Sequence, residues 1–264
     1  MFEGCEYLKI APELPATALA DSCYSYMFSG CLALEKVPEL PATNLVYSCY
    51  QSMFYGCSML KNTPILPATV LADYCYELMF YNCRTLISAP ELPAITMKNV
   101  CYARMFENCT SLKTAPKLPA TKLASSCYMN MFANCTSLTT APTLPATTLS
   151  DNCYNGIFNG CIKLNYIKCL ATNISASNCS HNWVSGVANL GTFVKADSMT
   201  SWTTGTSGIP SGWTVLTKQE YEERKLYIDI DDTDTTVPSG IYASITTAIA
   251  NNISVVLRVT RTNN

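Results

Sequence analysis

The chain has 264 residues, 48% apolar and 14% charged, with a formal net charge of −2. That length permits one or two domains with a sizeable core, and the absence of a basic stripe argues against counterion-releasing nucleic-acid binding. No apolar run reaches the ~18 residues of a membrane span, so membrane insertion is not expected.

In chain order, the first feature is a repeat. Phe2, Phe28, Phe54, Phe80, Phe106, Phe132 and Phe158 follow one another at 26 residues each time. The consensus is M-F-x-(G/N)-C-x-x-L-x-x-A-P-x-L-P-A-T-x-L-A-x-x-C-Y-x-x, seven units long, the seventh degraded to "CLATNIS". Met1 and Phe2 already occupy repeat positions, which suggests a native N-terminus lying further upstream. With no basic and apolar leader at the start, such a truncation would leave the address unwritten.

A strict interval is what a stack of coils needs, because equivalent residues then lie over one another and bury a face no single coil could bury. Three rows carry this core. They are Leu8, Leu34, Leu60, Leu86, Leu112, Leu138 and Leu164; Leu14, Leu40, Leu66, Leu92, Leu118, Leu144 and Leu170; and Leu19, Leu45, Leu71, Met97, Leu123 and Leu149.

Within a unit, the A-P-x-L-P segment predicts a short, imperfect strand, since proline removes a ladder donor. The following L-A-x-x-C-Y-x-x-M-F places Leu19, Cys23 and Met27 at i, i+4, i+8 and predicts a short helix on the opposite side. Asp21, Asp73, Ser125 and Asp151 are its expected N-caps. Gly4, Gly30, Gly56, Asn82, Asn108, Asn134 and Gly160 form its expected C-cap row, these being the residues that tolerate a left-handed backbone.

Two rows of cysteine run through the units: Cys5, Cys31, Cys57, Cys83, Cys109, Cys135 and Cys161, and Cys23, Cys49, Cys75, Cys101, Cys127, Cys153 and Cys179. Cys169 lies outside both. No C-x-x-C pair suggests structural zinc. Both rows share the apolar side, so they are expected as buried free thiols packing as small hydrophobes, with disulfides between rows as the alternative. The row Tyr24, Tyr50, Tyr76, Tyr102, Tyr128 and Tyr154 reads as packing between coils, with a sugar-stacking platform as its alternative.

Recognition is expected at the variable positions of the strand side. The candidate ligand-facing residues are Lys9, Glu13, Glu35, Lys36, Glu39, Lys61, Asn62, Glu91, Lys113 and Lys117. Neighbouring coils lie about 5 Å apart, so Lys9, Glu35 and Lys61 can alternate in sign along the stack.

The "MFxGCxxL" core, followed by a short strand and proline, resembles the BspA-like leucine-rich repeats of bacterial cell-surface proteins. The resemblance covers about two thirds of the chain and predicts a repeat solenoid by analogy of fold. Its "CYxxMF" replaces the compact "AF" turn usual there. The resemblance implies adhesion or recognition of host or matrix proteins or glycans, on the cell surface or secreted, without catalysis or cofactor. The segment "GTFVKADSMTSWTTGTSGIPSGWTV" also looks like one that closes such arrays in gut-bacterial and gut-phage proteins, which makes a structural virion fibre component the alternative.

The predicted fold is therefore α/β: a leucine-rich-repeat solenoid of seven 26-residue units over 1–182, a cap over 183–217, and a small strand-helix-strand module over 218–264. The module's strands fall on "KLYIDI" and "ISVVLRVT" and its helix on "SGIYASITTAIANN". Its short sheet needs a partner, which makes it the candidate element for homo-oligomerisation. The lone His181, beside Cys179, is too little for a catalytic triad. The acidic run "DIDDTDTT" lacks the glycine and distal glutamate of an EF-hand loop and reads as a solvated loop.

Overall fold

The computed structural model describes residues 2–223, 226–231 and 255–260. The chain separates into two compact units, Met1–Val215 and Leu216–Asn264.

In the first unit the repeats stack as successive coils. The strand side is an interrupted parallel ladder. Isolated parallel bridges join Ile10 to Lys36, Asn44 to Val70, Ser88 to Thr114, Thr96 to Lys122 and Thr140 to Tyr166. The two prolines of A-P-x-L-P lie between these bridges and have no N–H to extend them. Regular strand appears where the prolines are gone. β1 (Tyr166–Cys169) pairs in parallel with β2 (Thr192–Lys195), Tyr166 opposite Thr192, and β2 lies beside β3 (Thr214–Thr217).

The opposite side is not helical, which corrects the expectation of short helices. Among the described residues the α-helix is α1 (Lys218–Glu223), in the second unit. Residues 20–31 instead form a ribbon of consecutive turns. The N–H groups of Cys23, Ser25, Met27, Ser29 and Cys31 donate three residues back, at 3.0–3.2 Å. Those of Ser22, Tyr24, Tyr26, Phe28 and Gly30 donate to the carbonyls of Tyr47, Cys49, Gln51, Met53 and Tyr55 in the next coil, at 2.7–3.0 Å. An α-helix spends its interior N–H groups on itself. The ribbon spends half on its own turns and half on its neighbour, and so satisfies the backbone while joining the coils.

The geometry repeats every four residues, with a left-handed residue each time: Ser22, Tyr26 and Gly30, then Ser48, Ser52 and Gly56, and so on to Asn178, Asn182 and Gly186. The row from Gly4 to Gly160 does take positive φ, between 60° and 74°, but it closes a turn and not a helix. Asp21, Asp73 and Asp151 likewise cap no helix. Their carboxylates accept the N–H of Tyr47, Asn99 and Ser177 in the following coil, at 2.8–3.2 Å.

The core between the two sides is a set of ladders. The phenylalanine rings from Phe2 to Phe158 stack at centroid spacings of 5.6–5.9 Å. The tyrosines from Tyr24 to Tyr154 do the same at 5.6–6.1 Å and end on Trp183. Leu34, Leu60, Leu86, Leu112, Leu138 and Leu164 are fully buried.

The second leucine row contains one correction. Cys169, not Leu170, sits opposite Leu144 and is fully buried. The seventh unit is one residue shorter there, and the chain regains register by Asn178, which takes the left-handed place of Asn152. The stack also continues past residue 182 in backbone register without the consensus. Phe158 N–H donates to Trp183, Gly160 N–H to Ser185, and β1 pairs with β2 at the same 26-residue offset. Trp183 stacks on Trp202 at 5.1 Å, and its Nε1 donates to Gly208.

In the second unit α1 begins with a capping box: Glu220 N–H donates to Thr217 Oγ1, and Thr217 N–H donates back to the Glu220 carboxylate. β4 (Leu226–Asp231) and β5 (Val255–Thr260) pair in parallel and fall on the two segments expected as strands. The helix expected between them, and the acidic run beyond Asp231, lie outside the described residues. No helix among the described residues is long and apolar enough to cross a membrane.

Candidate binding face

The A-P-x-L-P segments line up into a band along the strand side. Leu14, Leu40, Leu66, Leu92 and Leu118 point into the core, and the residues between them face outward. Three shallow concavities lie on this band, of about 680 Å³ at Glu13 and Pro38, 390 Å³ at Ile65 and Pro90, and 670 Å³ at Lys117 and Pro142. Each is walled by prolines, whose fixed φ and missing N–H leave a rigid apolar wall.

All ten candidate residues stand exposed on this side: Lys9, Glu13, Glu35, Lys36, Glu39, Lys61, Asn62, Glu91, Lys113 and Lys117. The ion pair found among the described residues is elsewhere, Arg104 to Glu107 at 3.8 Å. Lys9, Glu35 and Lys61 therefore do not pair along the stack, and their charges remain available.

The sequence reading passed over the apolar residues on the same face. Ile65 is 79% exposed, Ile95 64%, Val70 54% and Ile87 52%. They lie in the third and fourth coils, where the positions equivalent to Ile65 and Ile95 in the neighbouring coils carry charge or threonine, and Ile10 in the first coil is 62% exposed on the same face. The available signal was an aliphatic residue at an outward position.

The cysteines are all free thiols, and thirteen of the fifteen are buried. Cys5 and Cys23 are exposed, which corrects their assignment to buried rows: they sit in the first coil, with no described coil covering them. In the first row each thiol donates to the carbonyl of the phenylalanine 29 residues earlier, from Cys31 to Phe2 through Cys161 to Phe132, at 3.0–3.2 Å. Burial pushes these thiols up, Cys57, Cys109 and Cys161 to about 12, and a thiol kept protonated is a poor nucleophile and ligand. Among the described residues no cluster of three His, Cys, Asp or Glu could hold a metal ion.

The tyrosine row from Tyr50 to Tyr154 is buried, so it packs the core and offers no platform to a ligand. His181 is exposed beside Asn182, while the Cys179 thiol turns away to donate to the Ile174 carbonyl.

The family model described as BspA type leucine rich repeat region matches residues 1–113 and 78–202, in six copies. The chain belongs to that family. The BspA-type repeats therefore account for the stacked parallel bridges and for a protein built to present a binding surface. The phage-fibre resemblance of the segment 191–215 finds no support in the comparisons. No curated protein and no solved structure matches the chain.

Proposed function

We propose that this is a non-catalytic recognition protein of a bacterial cell surface, or secreted from one, that binds a protein ligand through the strand-side band. The observation that carries the reading is the layout of that band. Ile65, Val70, Ile87 and Ile95 are exposed in the third and fourth coils, interspersed with Lys61, Asn62 and Glu91. Lys9, Glu13, Glu35, Lys36 and Glu39 flank them on one side, and Lys113 and Lys117 on the other. Exposed aliphatic residues set among charged ones suit a protein–protein interface, in which the aliphatic residues supply energy and the charges supply steering and register. Exposed apolar residues rimmed by polar ones mark an interaction site.

The experiment is a binding screen of the full chain against immobilised extracellular-matrix proteins and glycans, repeated with Ile65→Asp and Ile87→Asp. Loss of protein binding by about tenfold or more, with thermal stability kept, supports the reading. Undiminished binding by both folded variants refutes it.

A further inference from the structure

The strand-side band carries opposite charge at its two ends. In the first two coils Glu13, Glu35 and Glu39 outnumber Lys9 and Lys36, and all five are exposed. The fifth coil exposes Lys113, Lys117 and Lys122, and residues 108–150 contain no aspartate or glutamate. In the sixth coil, threonine takes the places of those three lysines, as Thr139, Thr143 and Thr148. The concavities repeat the contrast. The one at Pro38 is lined by Glu13, Lys36 and Glu39, and the one at Pro142 by Lys113 and Lys117 with no carboxylate. Glu35, Glu39, Lys113 and Lys117 form no ion pair within their own chain, nor does Glu91, one coil from Lys117 in the same row.

A partner of one sign would suit one end of this band and be repelled at the other. A partner with the same two ends in reverse order suits both, and the chain itself is such a partner. Consider a two-fold axis lying in the interface, parallel to the strand segments, midway between the third and fourth coils. It sets the first coil against the sixth, the second against the fifth and the third against the fourth, each row facing its own row. Glu35 then meets Lys113 and Glu39 meets Lys117, each pair formed twice by symmetry. Lys9 and Glu13 meet Thr139 and Thr143, Lys36 meets Thr114, Lys122 meets Asn44, and Lys61 meets Ile87. Glu91 meets Ile65, and no charge on the band meets its like. Ile65 and Ile87 fall in the two coils beside the axis, so each lies about one coil, or about 5 Å, from its own counterpart in the second copy.

Other registers fail. An axis at the third coil sets Lys9 against Lys113 and Glu39 against Glu91. An axis at the fourth sets Lys61 against Lys113 and Glu91 against itself. Two copies running in the same direction, coil on equivalent coil, lay the lysines of the fifth coil on one another. Like charges brought together suppress such arrangements. Six coils from the Lys9 row to the Ala18 row cover roughly 30 by 25 Å, or about 750 Å² per copy, close to the ~800 Å² per partner of a specific interface.

We propose that the strand-side band binds a second copy of this chain, running antiparallel along the stack, as a two-fold dimer. The proposal rests on the reading of the band as a protein-binding face and names the partner.

The test is sedimentation velocity on the full chain from about 1 to 100 µM, at low and high salt, where a reversible dimer weakened by salt is expected. Glu39→Lys and Lys117→Glu should each weaken it about tenfold or more, since each reverses two contacts per dimer. The row that holds both positions carries glutamate in some coils and lysine in another, so the stack accepts either residue there. Mixed in equal amounts, the two variants should pair with each other as tightly as the unsubstituted chain, because each swapped charge then faces its opposite. The proposal is overturned if the chain stays monomeric, if the dimer persists in both single variants, or if mixing fails to restore it. A monomer that binds a matrix protein through Ile65 and Ile87 overturns the proposal alone. A monomer whose matrix binding survives Ile65→Asp and Ile87→Asp overturns the protein-binding reading as well.

Discussion

Raising the pH should unfold the repeat stack cooperatively, because the core is lined with acids that must stay protonated. Cys57, Cys101, Cys109, Cys153, Cys161 and Cys169 are pushed from an ordinary 9.0 to about 12 by burial. The folded state holds their protons while the unfolded state releases them. The stability they contribute is therefore full below the unfolded value and is lost as pH rises towards the folded one. At about pH 10 an unfolded thiol gains roughly 1.4 kcal/mol from ionising. Six together gain roughly 8 kcal/mol, which lies within the ~5–15 kcal/mol that holds a typical domain folded. The buried tyrosines are raised by the same cause and add to the effect. The assay is far-UV circular dichroism against pH, recorded with thiolate and phenolate absorbance. A single cooperative transition beginning above about pH 9, with backbone signal and ionisation changing together, is expected. Smooth ionisation of thiols and phenols at their ordinary values, with the backbone spectrum unchanged, would refute the burial argument.

Three further outcomes follow from individual positions. Brief alkylation of the native chain at about pH 8, read by mass spectrometry, should label Cys5 and Cys23 and spare the other thirteen thiols, which are buried away from the reagent and held protonated by that burial. Val100 is β-branched at φ 57°, a conformation costing roughly 1–2 kcal/mol, so Val100→Asn should raise the denaturation midpoint by the equivalent of about 1 kcal/mol. The Tyr76 hydroxyl is buried without a hydrogen-bond partner, so Tyr76→Phe should leave stability unchanged or raise it by about 1 kcal/mol; a loss in thermal melting would mean the hydroxyl is satisfied.

The stacking, its inward rows and the strand side were legible in the sequence because each leaves a mark at a fixed interval. Phe28 and Phe54 can recur at 26 residues only if their coils superpose, and their rings do stack at 5.8 Å. The ribbon was misread because a spacing of four suits two structures. Leu19, Cys23, Met27 and Cys31 look like a helical face, yet an α-helix drifts off a strict four-residue spacing at 3.6 residues per turn. One feature could have decided it: glycine, asparagine or serine recurs every fourth residue, at Ser48, Ser52 and Gly56. Elsewhere in the same rows Tyr74, Leu78 and Val100 take positive φ, where the side chain gives no warning. The shift from Leu170 to Cys169 was hidden because a deletion and its compensation both fall in a unit whose consensus is already lost.

The same constraint separates the residues that hold the stack from those free to recognise a ligand. A ladder position must fit the coil before and the coil after, so the thiol that donates to a phenylalanine carbonyl is cysteine in every coil from Cys31 to Cys161. An outward position meets no such demand, and in most coils it holds serine, threonine, alanine or a single charge. On the strand side Ile65, Val70, Ile87 and Ile95 stand exposed in the third and fourth coils, as Ile10 does in the first. Exposing them loses the burial energy they would gain in a core, roughly 1.5–3 kcal/mol for each aliphatic residue. A coil bearing threonine at the same place folds without that loss, as Thr143 and Thr147 show at the positions of Ile65 and Ile95. Substitutions at these outward positions can therefore alter recognition without disturbing the ladders beneath.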